Sequence, residues 1–546
     1  MKPKLPSISI ARGTSVVAGL TLLSRLLGLV RDLAVARLFG AGFFTDAFFV
    51  AFRIPNLLRS LVAEGALTSA FVPVFAEELR QGREAAQRTF SSATGLLLFS
   101  TTVLSIIGII FAPEIVALTA PGFGLGTSKA LLCITLTRIM LPYIVFVSLV
   151  AMLNGALNTL GIFGAAPLAQ IAMNVVLILG ALAAGLMEDY TAVIFLAISV
   201  ILGGVAEIVV QFPGLKKAEL RLRPSKAMLT PATRQIMKLM LPAVLGAAIY
   251  QLAIFINTLL ASLLQNGSIS WLFYADRIAQ LPIGVFTVAL ASVLLPALSS
   301  AAAAADHRAF ALKLTDALRY TSFFIIPVSA GLFFFAEPVV ALVFERGAFN
   351  RAATSATAVA VQAMCIGLWS VSCTSMAMRA FIARKDTLTP ALIGALALFT
   401  GTLLSLLLMG PPQSGTQGVL SRMVTWTQSL LADYFFTARL GHVGLALSSG
   451  LAQIVSLLTL IILLERRKLG IDWRPFVRST YRALFGSAVM LAGLMYMDSF
   501  SFSHVSSLLI GLPLAGLLYT LTSAMLRSPE LREIYASFVR WRVKRK

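Results

Sequence analysis

Long apolar segments recur along nearly the whole chain and limit the folds that are open to it. About fourteen of them approach or exceed the roughly 20 mostly apolar residues that a membrane-spanning helix needs. Of the 546 residues, 58% are hydrophobic and 12% are charged, which excludes a soluble globular domain. Continuous runs, rather than alternating segments of about ten residues, favour helices over a transmembrane barrel. The sequence predicts an all-α polytopic membrane protein with spans at 10–38, 44–79, 89–112, 129–158, 164–187, 190–211, 231–264, 269–300, 309–336, 354–382, 388–409, 442–465, 478–497 and 504–526.

The distribution of basic residues predicts the topology. The formal net charge is +21, and Lys and Arg concentrate in the even-numbered loops and in the C-terminal tail. Basic loops stay in the cytoplasm, so both termini are predicted to be cytoplasmic. The charge is therefore topological, and no aromatic-basic motif indicates a nucleic-acid partner. Residues 1–13 have the charge of a signal peptide, but arginines interrupt the apolar run that follows, so we expect a retained first helix.

The few cysteines and histidines do not indicate a metal site or a disulfide. They are far apart in the sequence and lack the spacing of metal ligands. No catalytic triad or phosphate-binding loop is recognisable either, so we expect neither an enzyme nor a cofactor or metal ion. The residues are Cys133, Cys365, Cys373, His307, His442 and His504.

The chain also repeats itself at an offset of 223 or 224 residues. Residues 48–54 match 272–278, and residues 111–118 match 335–342; a third match, between 69–73 and 292–296, lies in the same order. A repeat of six spans is even, so the two copies share one orientation about an axis along the membrane normal. This predicts two six-helix lobes in a parallel pseudo-twofold repeat, with two extra C-terminal helices.

The repeat also predicts domain boundaries. The N-terminal lobe would cover 1–225, the C-terminal lobe 226–470, and 471–546 would hold spans 13 and 14 and a basic tail. An insert at 411–440 interrupts the second lobe. Within it, 420–439 is predicted to form a short amphipathic helix with Trp426, Leu430, Leu431 and Phe435 on its apolar face.

Charged side chains occur inside the first apolar segment. Each charge at the centre of a membrane helix costs about 2.5–3.5 kcal/mol, so it survives only beside water, a partner or a ligand. Arg25 and Arg31 lie about 9 Å apart along a straight helix, and Gly28 between them permits a bend toward one cavity. Asp32 shares a face with Arg25. The alternative is an internal Arg–Asp pair that holds two helices together.

The second segment carries a further group of polar residues. Asp46 and Arg53 fall on one helical stripe, and Pro55 is expected to break the helix just before Asn56. Broken helices mark binding sites in transporters. The residues that follow in this segment, Arg59 and Glu64, are also candidates for the cavity. The alternative for Arg53 and Arg59 is that they snorkel to the membrane interface.

Asp276 and Arg277 occupy the matching position in the second copy of the repeat. The alternative for Arg277 is an ion pair with Asp276 or another carboxylate. Taken together, arginines exceed carboxylates inside the spans, and the planar guanidinium suits phosphate. A proton-coupled drug exporter would instead show lone membrane carboxylates, and since some carboxylates are present, that alternative stays open.

Several of these segments resemble the MurJ (MviN) family of the multidrug/oligosaccharidyl-lipid/polysaccharide exporter superfamily, over nearly the whole chain. They are Ser24-Arg25-x-x-Gly28-x-x-Arg31-Asp32, the stretch from Phe39 to Phe48, Pro55-Asn56-Leu57-Leu58-Arg59, Ala63-Glu64-Gly65-Ala66, Tyr274-Ala275-Asp276-Arg277 and Arg384-Lys385-Asp386-Thr387. The resemblance implies fourteen helices in two lobes, the last two forming an apolar groove for a lipid tail. It places cavity arginines at Arg25, Arg31, Arg59 and Arg277, and important acidic positions at Asp46 and Glu64. Asp32, Arg53, Asn56 and Asp276 are secondary candidates. The insert at 411–440 is longer than the family pattern.

The resemblance also implies a function. The chain would be a lipid II flippase of the bacterial inner membrane, needed for peptidoglycan biosynthesis, cell wall biogenesis and cell shape. Its partners would be lipid II, the undecaprenyl-diphosphate-linked disaccharide pentapeptide, and membrane lipids. Transport would proceed by alternating access, with the arginines binding the diphosphate. The alternatives are a cation-coupled exporter of drugs or of other lipid-linked oligosaccharides, and a membrane enzyme that acts on polyprenyl phosphates.

Overall fold

Helices are the only extended secondary structure in the described part of the chain. The computed structural model describes residues 10–60, 67–413, 418–432, 435–499 and 503–544, and within these ranges there is no strand. The prediction of an all-α membrane protein is therefore confirmed. Ten helices in these ranges are long and apolar enough to cross a membrane, so the predicted number of fourteen spans is not confirmed. The segments that fall short include the two that carry the arginines, 10–38 and 44–79.

The chain divides into two compact units. The first comprises Met1–Ser270 with Arg346–Phe349 and Pro412–Arg422. The second comprises Trp271–Glu345, Asn350–Pro411 and Met423–Lys546. This division follows packing and not the register of the repeat, so the predicted boundaries after residues 225 and 470 stay predictions.

Phenylalanine side chains form the centre of the first unit. Phe71 and Phe75 stack with their ring centroids 5.2 Å apart, and Phe90 packs beside them; all three are fully buried. The burial of such side chains stabilises each by about 1.5–3 kcal/mol, which holds together the two helices that carry them. The helices are α1 Ile10–Phe39, α2 Phe43–Leu58, α3 Leu67–Gln81, α4 Arg83–Ile110, α5 Ala112–Thr119, α6 Ser128–Met140, α7 Tyr143–Thr159, α8 Ala165–Ala184, α9 Asp189–Val209, α10 Phe212–Lys217 and α11 Pro231–Ser262.

Close backbone packing is the main feature of the second unit. A Cβ atom added at Gly367 would lie 2.3 Å from the Cα of Gly450, so two helices meet where neither has a side chain. The helices are α12 Ser268–Pro282, which begins in the first unit, α13 Val288–Ala303, α14 His307–Phe334, α15 Ala336–Phe344, α16 Arg351–Ala383, α17 Leu388–Leu408, α18 Val419–Ala432, which straddles the division, α19 His442–Arg466, α20 Arg474–Asp498, α21 His504–Met525 and α22 Pro529–Lys544.

The repeated sequence segments take the same local structure. Both α4 and α14 have 28 residues, and α14 starts 224 residues after α4. Each ends at a phenylalanine, Phe111 with φ −89° and ψ 19°, and Phe335 with φ −88° and ψ 15°. A short helix, α5 or α15, follows at once. The same bend at both places supports the internal repeat.

Helices α20 and α21, at the position of the predicted spans 13 and 14, pack against α14 and α15. Met490 and Leu494 of α20 and Tyr519 of α21 form one buried apolar cluster with Phe323 and Phe335. The hydroxyl of Tyr519 donates a hydrogen bond of 2.7 Å to the carbonyl oxygen of Phe323. The last two long helices are therefore integral to the second unit.

The insert contains a helix, as predicted, but α18 ends at Ala432 and not near 439. Trp426 is 65% exposed, and Leu430 is also exposed, in keeping with an interfacial helix. The side-chain amide of Gln428 donates to the carbonyl oxygens of Leu406 at 3.0 Å and Gly410 at 2.8 Å. These two bonds tie the helix to the end of α17. Residues 433–434 lie outside the described residues.

Candidate functional site

The two arginines of α1 differ in how they are held. Arg31 donates to the carboxylate of Asp32 through Nε at 3.0 Å and Nη2 at 2.7 Å, and through Nη1 to the Oδ1 of Asn174 at 3.1 Å. Asn174 of α8 in turn donates to the carbonyl oxygen of Ser24 at 3.0 Å. Arg25 is exposed, and no residue in the described ranges forms a hydrogen bond or ion pair with it. The internal Arg–Asp pair is thus present, but at Arg31 and not at Arg25.

Helix α2 does not break at Pro55 as predicted. It runs on to Leu58 and is followed by a wider, π-helical turn at 59–60. The side-chain amide of Asn56 donates to the carbonyl oxygen of Phe52 at 3.0 Å, which supplies a hydrogen bond in the turn that Pro55 disturbs. The prediction of a break was therefore wrong: the helix continues, and the side chain of Asn56 stabilises the turn that contains Pro55.

Arg53 of α2 and Arg59, in the turn that follows α2, are directed to protein groups of the first unit. Arg53 donates from Nη1 to the hydroxyl of Thr258 on α11. Arg59 donates from Nε to the Oδ1 of Asn56 at 3.0 Å. Both arginines are only partly exposed, so the structure does not favour the alternative in which they snorkel.

Asp46 is a buried acceptor with four donors. Its two carboxylate oxygens accept hydrogen bonds from the backbone N–H groups of Gly267 at 2.7 Å and Ser270 at 3.0 Å, from the Ser270 hydroxyl at 2.6 Å and from the Lys129 ammonium at 2.9 Å. Asp46 is 1% exposed, so a bound molecule does not reach it in this conformation. Lys129 also donates to Asn266 at 2.8 Å.

Sequence reasoning missed Lys129, although a signal was available. This lysine begins a predicted span beside a loop that the charge pattern predicts to be poor in basic residues. Such an exception calls for a local counter-charge, and Asp46 supplies it. Glu64, the other acidic candidate of the first lobe, lies outside the described residues.

A second buried carboxylate, Glu207 on α9, was also missed. It is fully buried, and the Tyr143 hydroxyl lies 3.3 Å and the Gln170 Nε2 3.4 Å from its two carboxylate oxygens. Glu207 is the only charged residue between Asp189 and Lys216, which is the signal that could have identified it.

The candidates of the second lobe lie on α12. The Cζ of Arg277 is 4.8 Å from the ring centroid of Phe273, a cation–π contact, and the side chain is half-buried. Asp276 is exposed and accepts a hydrogen bond from Gln280 one turn later. Beyond Pro282 the helix changes to a π-helical segment, Ile283–Thr287. In the described ranges no group of three or more His, Cys, Asp or Glu residues is arranged to hold a metal ion.

Within the described residues the chain is all-helical, has ten helices long and apolar enough to cross a membrane, and shows the same bend in both copies of the repeat. These features define a multi-pass α-helical membrane protein. The fold agrees with that class. A solved structure of a multidrug resistance MATE family transporter of the MOP superfamily, in its inward-facing conformation, superposes with a TM-score of 0.64 at 15% identity, over 83% of this chain and 98% of that one.

The family follows from closer matches. The family model described as lipid II flippase MurJ matches residues 35–513. The lipid II flippase MurJ of Burkholderia cenocepacia is 36% identical over 505 residues, which cover 91% of each chain. The probable lipid II flippase MurJ of Vibrio cholerae is 36% identical over 400 residues, 71% of this chain and 76% of that one.

A solved structure of lipid II flippase MurJ in an inward closed conformation superposes with a TM-score of 0.76 at 25% identity, over 94% of this chain and 98% of that one. The chain belongs to the MurJ family. It is accordingly a multi-pass inner-membrane transporter and not an enzyme.

Proposed function

We propose that the chain is a lipid II flippase, which moves the undecaprenyl-diphosphate-linked peptidoglycan precursor from the inner to the outer leaflet. Family membership supports the substrate. The observation that carries the mechanism is the set of arginines in α1, in α2 and in the turn after α2. Of these, Arg25 forms no hydrogen bond or ion pair with the other described residues. A cation that costs several kcal/mol in a membrane and has no counter-ion among the described residues is suited to bind an anion.

The chemistry of the diphosphate fits these side chains. A diphosphate offers several charged oxygens, and each guanidinium donates in a fork that matches two of them. Arg59 and Arg31 donate part of their capacity to Asn56, Asp32 and Asn174, which fixes their orientation. We assign the diphosphate to Arg25, Arg31 and Arg59 of the first unit. Arg277, in the second unit, is proposed as a further substrate-binding residue.

The transport cycle is proposed to be alternating access. The arginines bind the diphosphate from the cytoplasmic side, where both termini lie, and release it outside. The polyprenyl tail stays in lipid along α20 and α21. Each elementary charge that crosses 100 mV is worth about 2.3 kcal/mol, so an inside-negative potential favours the outward passage of an anion.

Single replacements of Arg25, Arg31, Arg59 and Arg277 by Ala and by Lys test this function. In a bacterium depleted of its own flippase, the Ala variants should fail to restore growth and lipid II should accumulate. The Lys variants should restore growth only in part, because an ammonium cannot replace the planar fork. Arg83→Ala is the matched control, since Arg83 is 65% exposed and pairs with an exposed glutamate. Full rescue by all four Ala variants would refute the proposal.

A second candidate function is a cation-coupled exporter of drugs or of other lipid-linked oligosaccharides. The observation that favours it is Glu207, a buried carboxylate inside an otherwise apolar helix. Reconstituted protein distinguishes the two functions. Translocation of lipid II in liposomes without an imposed ion gradient supports the flippase, whereas ion-driven efflux of a cationic dye supports the exporter.

A further inference from the structure

The C-terminal helix α22 has no part in the proposed transport site. It covers Pro529–Lys544 and lies beyond residue 513, where the match to the family model ends. It follows the membrane span α21 directly, so it lies at the membrane surface where α21 ends. The distribution of basic residues predicts that this surface is the cytoplasmic one.

Both acidic side chains of α22 are engaged by α14. Glu530 is fully buried and accepts a hydrogen bond of 2.8 Å from the Nε of Arg319. Glu533 lies 3.6 Å from the Nη2 of the same arginine and accepts a hydrogen bond from the hydroxyl of Tyr320. The first turns of α22 are thus held against α14, and the two carboxylates are directed toward the protein.

The remaining charges of this segment are all positive. Arg532 and Arg540 are exposed, and within the described ranges neither guanidinium forms a hydrogen bond or an ion pair with another helix. Arg540 donates only to the carbonyl oxygen of Ala536 at 3.3 Å and the hydroxyl of Ser537 at 3.4 Å, both in α22 itself. The outer surface of the helix is therefore cationic. Four further basic residues follow in the sequence: Arg542, Lys544, Arg545 and Lys546.

An apolar face runs along the same helix. Leu531, Ile534 and Tyr535 recur at helical spacing, and Val539 continues the row. Leu531 packs against the buried apolar cluster that holds α20 and α21. Ile534, Tyr535 and Val539 are exposed, Tyr535 by 71%. The face thus begins in contact with the protein and continues beyond it.

The lipid-facing side of α21 leads toward this face. Leu517, Leu521 and Met525 are exposed at a spacing of four residues, so one row of the span faces lipid as far as its last turn. The turn that follows is tight, because the N–H of Ser528 donates to the carbonyl oxygen of Ser523 at 2.9 Å. Helix α22 therefore starts at the depth at which α21 leaves the apolar part of the bilayer.

A cationic surface beside an apolar face is the pattern of a helix that lies in the headgroup region of an anionic bilayer. We propose that α22 is a docking surface for anionic phospholipids. Ile534, Tyr535 and Val539 enter the leaflet at the end of α21, and Arg532 and Arg540 bind the lipid phosphates. This lipid contact does not depend on the proposed transport of lipid II.

Fluorescence quenching on the full-length protein in lipid nanodiscs tests the proposal. A fluorophore is attached to Tyr535→Cys, and labelling is selective because Cys133, Cys365 and Cys373 are buried. Ser537→Cys is the matched control, since residues two apart on a helix lie about 200° from each other around its axis. The discs contain phosphatidylcholine alone or with phosphatidylglycerol, and a spin-labelled lipid in each disc is the quencher.

In discs with phosphatidylglycerol, the label at position 535 should be quenched, and the label at position 537 much less. The ratio of docked to undocked helix should fall about fivefold for Arg532→Gln and again for Arg540→Gln. It should also fall in about 1 M salt, where the Debye length is about 3 Å. Arg83→Gln removes the same charge from an exposed position in the other unit and should leave the quenching unchanged.

A label at Val539→Cys checks the result at a second position of the apolar face and should behave as the label at position 535. Equal quenching on both sides of the helix, or quenching that does not depend on phosphatidylglycerol, overturns the proposal. If a water-soluble quencher reaches the label at position 535 in every disc, the face is solvated. If the label is shielded in detergent as well, and more so as the protein concentration rises, a second copy of the chain covers the face. Either result also overturns the proposal.

Discussion

Replacement of Asp46 by Asn tests whether this residue holds the first unit together or binds substrate. In the variant, the retained oxygen still accepts from the N–H and hydroxyl groups of Ser270, but the new NH₂ group faces the N–H of Gly267 and the ammonium of Lys129. The Gly267 N–H and the Lys129 ammonium then face a hydrogen-bond donor where they had an acceptor. Lys129, which is only 7% exposed, also loses its counter-charge. The loss of one partner from a buried pair costs about 3–5 kcal/mol, so we expect a destabilisation of that size.

Denaturant unfolding of the purified protein, followed by circular dichroism, measures the effect. The midpoint should fall while the slope stays constant, as for a change in stability alone. The double variant Asp46→Leu with Lys129→Met should recover much of the loss, because it removes both charges from the interior. The matched control is Arg83→Ala at the exposed pair with Glu219, which should cost no more than about 1 kcal/mol.

A loss of function without a loss of stability would lead to the opposite conclusion about Asp46. If Asp46→Asn unfolds at the wild-type midpoint but no longer rescues a flippase-depleted strain, the carboxylate acts on substrate in another conformation of the protein. The structural interpretation of its four hydrogen bonds would then be refuted.

Three further predictions concern the second unit. The backbone N–H and hydroxyl of Thr389 hold the pKa of Asp386 below its usual range. The ionised carboxylate therefore stabilises the folded state above the pKa of the unfolded chain, and this stabilisation is lost as the pH falls through the folded pKa. Asp386→Asn should make the free energy of unfolding depend less on pH in the acid range. Burial raises the pKa of Glu530, but hydrogen bonds, including one of 2.8 Å from Arg319, lower it overall. Because Glu530→Gln weakens these bonds, it should destabilise α22 and speed its proteolysis. An unchanged cleavage rate would contradict this. Gly367→Ala places a methyl group 2.3 Å from a backbone atom of α19 and should cost about 1–3 kcal/mol in denaturant unfolding, whereas a wild-type midpoint would show that the helices separate easily.

Much of the fold could be predicted because its signals are local. A run of about 20 apolar residues predicts a membrane helix wherever it occurs, and such runs are found in both units. The repeat at an offset of 224 residues could likewise be found in the sequence, and matching sequence segments take the same bend at Phe111 and Phe335. The continuation of α2 through Pro55 was not predictable in this way. The rule that proline breaks a helix does not take into account the hydrogen bond that the Asn56 side chain donates to Phe52.

The partners of the charged residues could not be predicted, because the distances along the chain are large. Arg31 and Asn174 are 143 residues apart, and Asp46 and Gly267 are 221 apart. Periodicity describes one helix at a time and says which face a residue occupies, but not which helix lies against that face. Glu207 shows the same limit, since its neighbours Tyr143 and Gln170 come from two other helices.

The charged residues of the spans therefore differ in how many of their hydrogen-bonding groups are already engaged by other protein groups. Asp46 has four donors and is closed to a ligand, whereas Arg31 is held on one side by Asp32 and Asn174. Arg25 is exposed and keeps its five N–H donors clear of the other described residues. An anion gains most from a cation that the described residues leave uncompensated, because no existing bond must break first. Arg25→Ala should for this reason reduce transport without lowering stability, whereas Arg31→Ala should lower both, and equal losses of stability in the two variants would show that Arg25 also has a structural partner.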